Sequence, residues 1–250
     1  MKDTTVYIVS HKDFKAPELP GYEPILAGAE RNHADIAVKD NTGDNISAKN
    51  PEYCELTAQY WVWRNTQDSS DNVGFVHYRR YFYTDARKKQ IVPAEQFSRD
   101  LETYDVVLPE PWVLTKTIGE QFAQFHDAHD LEITRQVLQG RHPQYVAAFD
   151  SLMESHSLTA YNMFVMDRER FDAYMSWLFD VLGEVERRTD VKDYDSYNQR
   201  LYGFLSERLL NVWVNANALR AKRYPVYMPD DNWIKEWGKA KIKSLLFARK

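Results

Sequence analysis

Hydrophobic positions along this chain alternate between short continuous runs and longer stretches spaced at threes and fours. Val6-Tyr7-Ile8-Val9 is an apolar run that stops at Ser10-His11-Lys12, the pattern of a strand buried on both faces in a parallel sheet. Val73-Gly74-Phe75-Val76 ends likewise in His77-Tyr78-Arg79-Arg80, and Val106-Val107-Leu108 is closed by Pro109 and Pro111. Tyr161 to Met166 is a fourth such run. Between them, Leu56, Tyr60 and Trp63 predict a helix over 52–65, while 119–139 and 143–155 predict two more, broken near Gly140 and Pro143. Phe171, Tyr174, Met175, Leu178, Phe179, Leu182 and Val185 form an amphipathic stripe, and a second runs from Leu201 to Leu219. Residues 16–28, which carry Pro and Gly, read as loop, and 43–51 as turns. Strands alternating with helices predict an α/β fold: a mainly parallel sheet wrapped by helices, with a helical C-terminal part. Ligands in such sheets sit where the strands end.

Composition adds little to the core and more to the ends. With 44% apolar residues in 250, one domain over 1–234 is the economical reading. Residues 235–250 differ: six Lys or Arg against one Glu, leaving the rest of the chain at −10. Trp237, Ile242, Leu245, Leu246 and Phe247 put an apolar side on this basic tail, which suits peripheral contact with an anionic membrane; a solvated tail is the plain alternative. The overall charge of −5 counts against a nucleic-acid partner. A single cysteine, Cys54, excludes an internal disulfide. The first residues do not read as a signal peptide and no apolar window reaches membrane-span length. The expected location is therefore cytoplasmic, at the inner face of the membrane if the tail docks there.

The candidate chemistry gathers at the run ends. His77-Tyr78-Arg79-Arg80 sets an imidazole and two guanidiniums at one strand exit, a combination that grips phosphate oxygens; surface ion pairs explain the same residues. Asp44, Asn45, Asn50, Tyr53 and Glu55 precede or open a helix that Asn50 or Ser47 is placed to cap. Asp44 suits a hydroxyl or a cation, and cap and turn chemistry is the simpler account of this loop. Cys54 reads as a small buried apolar residue. Arg200, Glu207 and Asn211 share one helix face opposite the apolar stripe, after Asp193-Tyr194-Asp195. A carboxylate there can take a proton from a hydroxyl, or the face is simply solvated. Asn162 in an apolar strand needs partners or a ligand. His126, His129 and Asp130 lie within one turn of each other but lack a second ligand cluster. The chain has neither a Gly-rich phosphate loop nor a Gly-X-Ser-X-Gly elbow, which sets aside P-loop enzymes, Rossmann dehydrogenases and serine hydrolases.

Taken in order, five blocks resemble a bacterial family of capsule, exopolysaccharide and O-antigen gene clusters, formerly a domain of unknown function and now regarded as galactofuranosyltransferases. They are Tyr7–Lys12; Gly43–Ser47 with Lys49–Pro51 and Tyr53–Ala58; Gly74–Phe82; Tyr161–Phe164; and Gly203–Leu209, spread over roughly 5–228. The resemblance implies a GT-A-like nucleotide-sugar fold and transfer of galactofuranose from UDP-galactofuranose to a saccharide acceptor, lipid-linked or free, with inversion to a β-product. On that reading His11 and Lys12 lie near the nucleotide, and His77, Arg79 and Arg80 meet the diphosphate. Asp44, Asn45, Asn50, Tyr53, Glu55 and Asn162 shape the donor pocket. From position alone, Trp112 with nearby aromatics is read as part of an acceptor wall. Glu207 is the first choice as base, then Asp195, then Asp44. No Asp-X-Asp pair follows a strand end, and arginine and histidine stand where a cation's acids are expected, so no cofactor or metal is expected beyond the donor. A divalent ion on Asp44 or Asp195 is the alternative. A same-fold transferase using UDP-galactopyranose or UDP-glucose, and a non-catalytic glycan-binding subunit, are the rival readings.

Overall fold

A computed structural model describes residues 2–67, 69–85 and 90–227. In chain order the elements are β1 (Thr4–Ser10), β2 (Tyr22–Leu26), β3 (Val38–Lys39), α1 (Asn50–Tyr53), α2 (Leu56–Asn65), β4 (Asn72–His77), β5 (Tyr81–Asp85), β6 (Gln90–Ile91) and α3 (Ala94–Asp100). Beyond α3 come β7 (Val106–Pro109), β8 (Trp112–Val113), α4 (Ile118–Phe125), α5 (Ala128–Arg141), α6 (Val146–Glu154), β9 (Ser157–Leu158), β10 (Phe164–Asp167), α7 (Arg168–Arg188), α8 (Leu201–Ala216), β11 (Ala221–Tyr224) and β12 (Val226–Tyr227). The basic tail read at 235–250, and the boundary at 234, lie outside the described residues.

The central sheet has the order β11-β7-β10-β4-β1-β2-β3. Its pairs are parallel except for β10, which runs antiparallel to both β4 and β7. The apolar run of β1 serves two cores at once. Tyr7 and Val9 face the helical side with Phe75, Phe171 and the α7 and α8 stripes, whereas Val6 and Ile8 face Val76, Phe82 and Phe97 on the other. Alternate residues point to opposite faces, so a strand covered on both sides must be apolar throughout.

Several predicted boundaries move. Residues 16–28 contain β2, aligned parallel with Val6–Ser10, and Ile25 and Leu26 are buried there. Pro and Gly had marked the segment as loop, but Pro24 sits in a short strand whose neighbour β3 has only two residues, where one missing N–H costs little. The predicted helix over 52–65 is two helices, because Cys54 takes a positive φ of 52° between them. Neither Ser47 nor Asn50 caps them: Lys49 is the N-cap of α1, and the Ser47 hydroxyl donates to Asp40 instead. The stretch 119–139 also divides, since Asp127 accepts from His129 N–H and starts α5 afresh. The run from Tyr161 becomes a strand only at Phe164; Tyr161 and Asn162 form a turn with φ of 80° and 51°. The last stripe ends as helix at Ala216 rather than Leu219.

Candidate functional site

The carboxyl ends of β1 and β4 open into a cleft of about 770 Å³. His11 follows β1; His77 ends β4, and Tyr78, Arg79 and Arg80 follow it; Asn50, Cys54 and Glu55 come from the α1–α2 junction. Tyr161 contributes from the turn before β10, Glu207 and Arg208 from α8, and Arg200 from just ahead of it. Trp112, His126, Tyr197 and Phe204 line the remainder.

The cations in this cleft rest on aromatic rings. Lys12 Nζ lies 5.3 Å and the Arg79 guanidinium 5.6 Å from the Tyr78 ring centre, with His11 edge-on to the same ring. Arg80 lies 4.6 Å over Tyr161, and Arg200 5.4 Å over Phe204. Among the described residues none of Arg79, Arg80 and Arg200 pairs with a carboxylate. Arg80 Nε is buried and unpartnered, and Arg200 Nε donates only to Cys54 Sγ at 3.2 Å. Aromatic faces hold a guanidinium without neutralising it, so the charge stays available to an anion. Burial, with Lys12, Arg79 and Arg200 nearby, pushes the His11 pKa below its usual value.

A web of hydrogen bonds fixes the wall opposite. Glu207 Oε1 accepts the Tyr161 N–H at 2.9 Å, and Asn211 exchanges two bonds with the Thr159 backbone. The Asn162 amide donates to Glu55 Oε1 at 2.7 Å and to the Gly203 carbonyl at 3.1 Å, while Gln59 donates to the Asn162 carbonyl. His77 Nε2 lies 2.6 Å from the Tyr161 carbonyl, which can only accept, so Nε2 carries the hydrogen. Burial lowers the His77 pKa despite Glu55 beside it, leaving the imidazole neutral. Two successive left-handed non-glycine residues cost about 1–3 kcal/mol each. These side chains hold the turn in that shape and set Tyr161 in the cleft. Close approach of α8 to the α1–α2 junction is possible because Gly203 has no Cβ; one would lie 3.0 Å from Cys54 Sγ.

Glu207 and Arg208 form a partly buried pair at 3.4 Å, the arginine side chain being 3% exposed and the glutamate 21%. Arg208 also donates to the Phe204 carbonyl and to Gln121 Oε1. Burial raises the Glu207 pKa above the ordinary 4.5, opposed by Arg208, the Tyr161 N–H and Arg80. The Arg200–Glu207–Asn211 face therefore turns toward the cleft and its supporting turn, not to solvent.

Of the predicted site residues, the structure brings His11, Asn50, Glu55, His77, Arg79, Arg80 and Glu207 to the cleft walls. Lys12 stands at the rim through Tyr78, and Asn162 lies beneath the surface as a brace for Glu55. Tyr53 is buried against Tyr202 and donates to Glu186, away from the opening. Asp44 pairs with Arg64 at 2.7 Å and takes the Tyr60 hydroxyl, and Asn45 bonds the Gly43 and Ser47 backbone; neither lines the cleft. Asp195 accepts the Tyr197 and Asn198 N–H groups just behind the wall. The two carboxylates read as alternatives for a cation are thus spent on protein donors. His126 faces the cleft while Asp130 is buried under the Tyr194 hydroxyl, and no three His, Cys, Asp or Glu among the described residues converge on a metal position. Sequence reasoning passed over Tyr78, Tyr161, Tyr197, Phe204 and Arg208 as cleft residues. Tyr78, Tyr161, Phe204 and Arg208 stood inside the five blocks but were given no role there; the turn and α8 bring the last three into the cleft, and Tyr197 lies outside every block.

The sheet order, the single reversed strand and the cleft at the parallel strand ends define an α/β protein of the GT-A-like kind. The chain belongs to the family described as Domain of unknown function (DUF4422), which it matches over residues 5–218. It is also similar to a solved apo structure, the WbbM bifunctional glycosyltransferase, with a TM-score of 0.83, 27% identity and 92% of this chain covered. The match covers 46% of that longer protein, so this chain spans about half its length. No curated protein matches the sequence. No described helix is long and apolar enough to cross a membrane.

Proposed function

We propose that this protein is a glycosyltransferase of bacterial surface-polysaccharide synthesis that moves galactofuranose from UDP-galactofuranose to a saccharide acceptor with inversion. The observation that carries the reading is a set of arginines left without carboxylate partners among the described residues, beside Glu55 and Glu207, at the strand ends of a chain similar to a bifunctional glycosyltransferase. The choice of donor sugar rests on the five sequence blocks.

In this mechanism Arg79, Arg80 and Arg200 receive the diphosphate, whose charge grows as the bond between C1 and the phosphate oxygen breaks. His11, neutral and next to Tyr78, belongs to the nucleotide side. Glu55 has one oxygen braced by Asn162 and the other without a partner among the described residues, which suits a donor-sugar hydroxyl. Glu207 takes the proton of the acceptor hydroxyl as its oxygen bonds to C1 and UDP departs. It is the better placed of the two carboxylates, being one turn from Phe204 and bonded to Tyr161, against which Trp112 packs. Its raised pKa makes it a stronger proton acceptor than an exposed carboxylate. Charge relief comes from guanidiniums, so a metal ion is not part of the proposal.

The test is UDP release and glycan product from UDP-galactofuranose, UDP-galactopyranose and UDP-glucose, each with and without EDTA, over galactoside and glucoside acceptors. Transfer from the furanose donor that EDTA does not diminish is the expected result. Turnover of another donor alone would overturn the sugar assignment, and loss of activity in EDTA would overturn the arginine account.

A further inference from the structure

The described residues expose four large hydrophobic side chains, and the two aromatic ones with a polar edge, Trp112 and Tyr197, line the cleft. They are 47% and 50% exposed; Val113 follows Trp112 in β8, and Phe125 precedes His126. Half-exposed aromatic rings in the wall of a cleft offer a binding surface.

These rings are held in place before any ligand arrives. Tyr197 and His126 stack at 5.5 Å with their planes 10° apart, and Phe204 packs against both at 5.0 and 4.4 Å. His126 Nδ1 is tied to Asn198 at 2.7 Å, and the Tyr197 N–H to Asp195. Trp112 stands at 90° to Tyr161, its ring centre 5.1 Å away. Tyr161 thus joins the two halves of the cleft, with Arg80 over its ring and Trp112 at its edge. Gln121 gives its carbonyl oxygen to Arg208 and keeps its amide hydrogens for a hydroxyl.

We propose that Trp112 and the Tyr197–His126–Phe204 stack form the acceptor subsite, holding a saccharide ring by its C–H face with the reactive hydroxyl turned toward Glu207. The proposal rests on the transferase reading and assigns that reading's second substrate to named residues. A nucleobase also stacks on aromatic faces, but Tyr78, His11 and Arg79 stand at the strand ends where the nucleotide belongs.

The experiment measures binding by calorimetry of UDP and, separately, of β-galactofuranoside, β-galactopyranoside and β-glucoside disaccharides. It uses the full chain and its Trp112→Ala, Tyr197→Ala and Trp112→Phe variants. Both residues are half exposed, so the fold should survive their truncation. Losing one aromatic face should weaken the bound disaccharide about tenfold, leave UDP affinity within about twofold, and be largely rescued by phenylalanine. Unchanged glycan affinity in both alanine variants overturns the subsite. So does UDP affinity falling in parallel, which makes the stack the nucleobase platform, and so does a native chain that binds UDP but none of the disaccharides. A native chain that fails to bind UDP overturns the transferase reading instead, whatever the glycans do.

Discussion

Replacing Glu207 by Gln separates the chemistry of the site from its architecture. The amide keeps an oxygen for the Tyr161 N–H, now at 2.9 Å from Oε1, so the left-handed turn retains its tie to α8. The charge alone disappears. A hydrogen bond to a carboxylate exceeds one to a neutral oxygen by about 1 kcal/mol. Removing the partner of a buried arginine costs about 3–5 kcal/mol when nothing else supports it. Arg208 keeps the Phe204 carbonyl and Gln121, and its contact with Glu207 is long at 3.4 Å, so only a fraction of that cost applies. Burial also penalises the ionised Glu207, which the amide avoids. The net is a loss of about 1–2 kcal/mol, or about 2–4 °C in Tm for a chain of this size. Transfer should fall about 10²–10⁴-fold while UDP affinity holds. The pH dependence is a second reading of the same group. Burial raises the Glu207 pKa, so the acid limb of kcat in the native protein should lie above pH 4.5, and the residual activity of the variant should lack it. Thermal melts, UDP calorimetry and mass spectrometry of the glycan product supply the three measurements. Full transfer by a folded Glu207→Gln protein refutes the assignment of the base.

Arg80→Ala should cut turnover about 10²–10³-fold with little change in Tm, since no carboxylate is left behind by its removal; an unchanged rate would take Arg80 out of the diphosphate site. Asp44→Ala breaks only exposed bonds, to Arg64 and to the Tyr60 hydroxyl, and should cost about 0–1 kcal/mol with activity intact, so a large kinetic defect would return Asp44 to the mechanism. Burial pushes the Asp130 carboxyl up to about 6 against the Tyr194 hydroxyl. A carboxyl whose folded pKa exceeds the unfolded 3.8 stabilises the fold below that pH and loses the contribution as pH climbs through about 6. Asp130→Asn should therefore gain about 1–2 kcal/mol at pH 8, less than the full shift because the first turn of α5 favours a negative charge, and gain almost nothing at pH 4. Equal Tm changes at the two pH values would contradict this.

The amino-acid order alone determined the α/β class and the strands that carry the cleft. Unbroken apolar runs at 6–9, 73–76 and 106–108 can only be buried on both faces, and the polar residues after each buried strand must surface at its end. That is why His11, His77, Arg79 and Arg80 were legible as site residues. Tertiary structure decided which groups those residues meet. Asp44 looked as eligible as Glu55 in one polar loop, but the left-handed backbone at Cys54 separates α1 from α2 and Glu55 beside it lines the cleft, whereas Asp44 pairs with Arg64. Glu207 on a polar helix face was equally consistent with solvent until the Tyr161–Asn162 turn closed over it. That turn has no local signature, because its left-handed backbone is held by Glu55, Gln59, His77 and Gly203, which lie 41 to 107 positions away in the chain. Trp112 was read as part of an acceptor wall, but the rings that share the cleft with it were hidden for the same reason. Trp112, Tyr161, Tyr197 and Phe204 come from four separate segments, and no spacing along a sequence records that they share a wall.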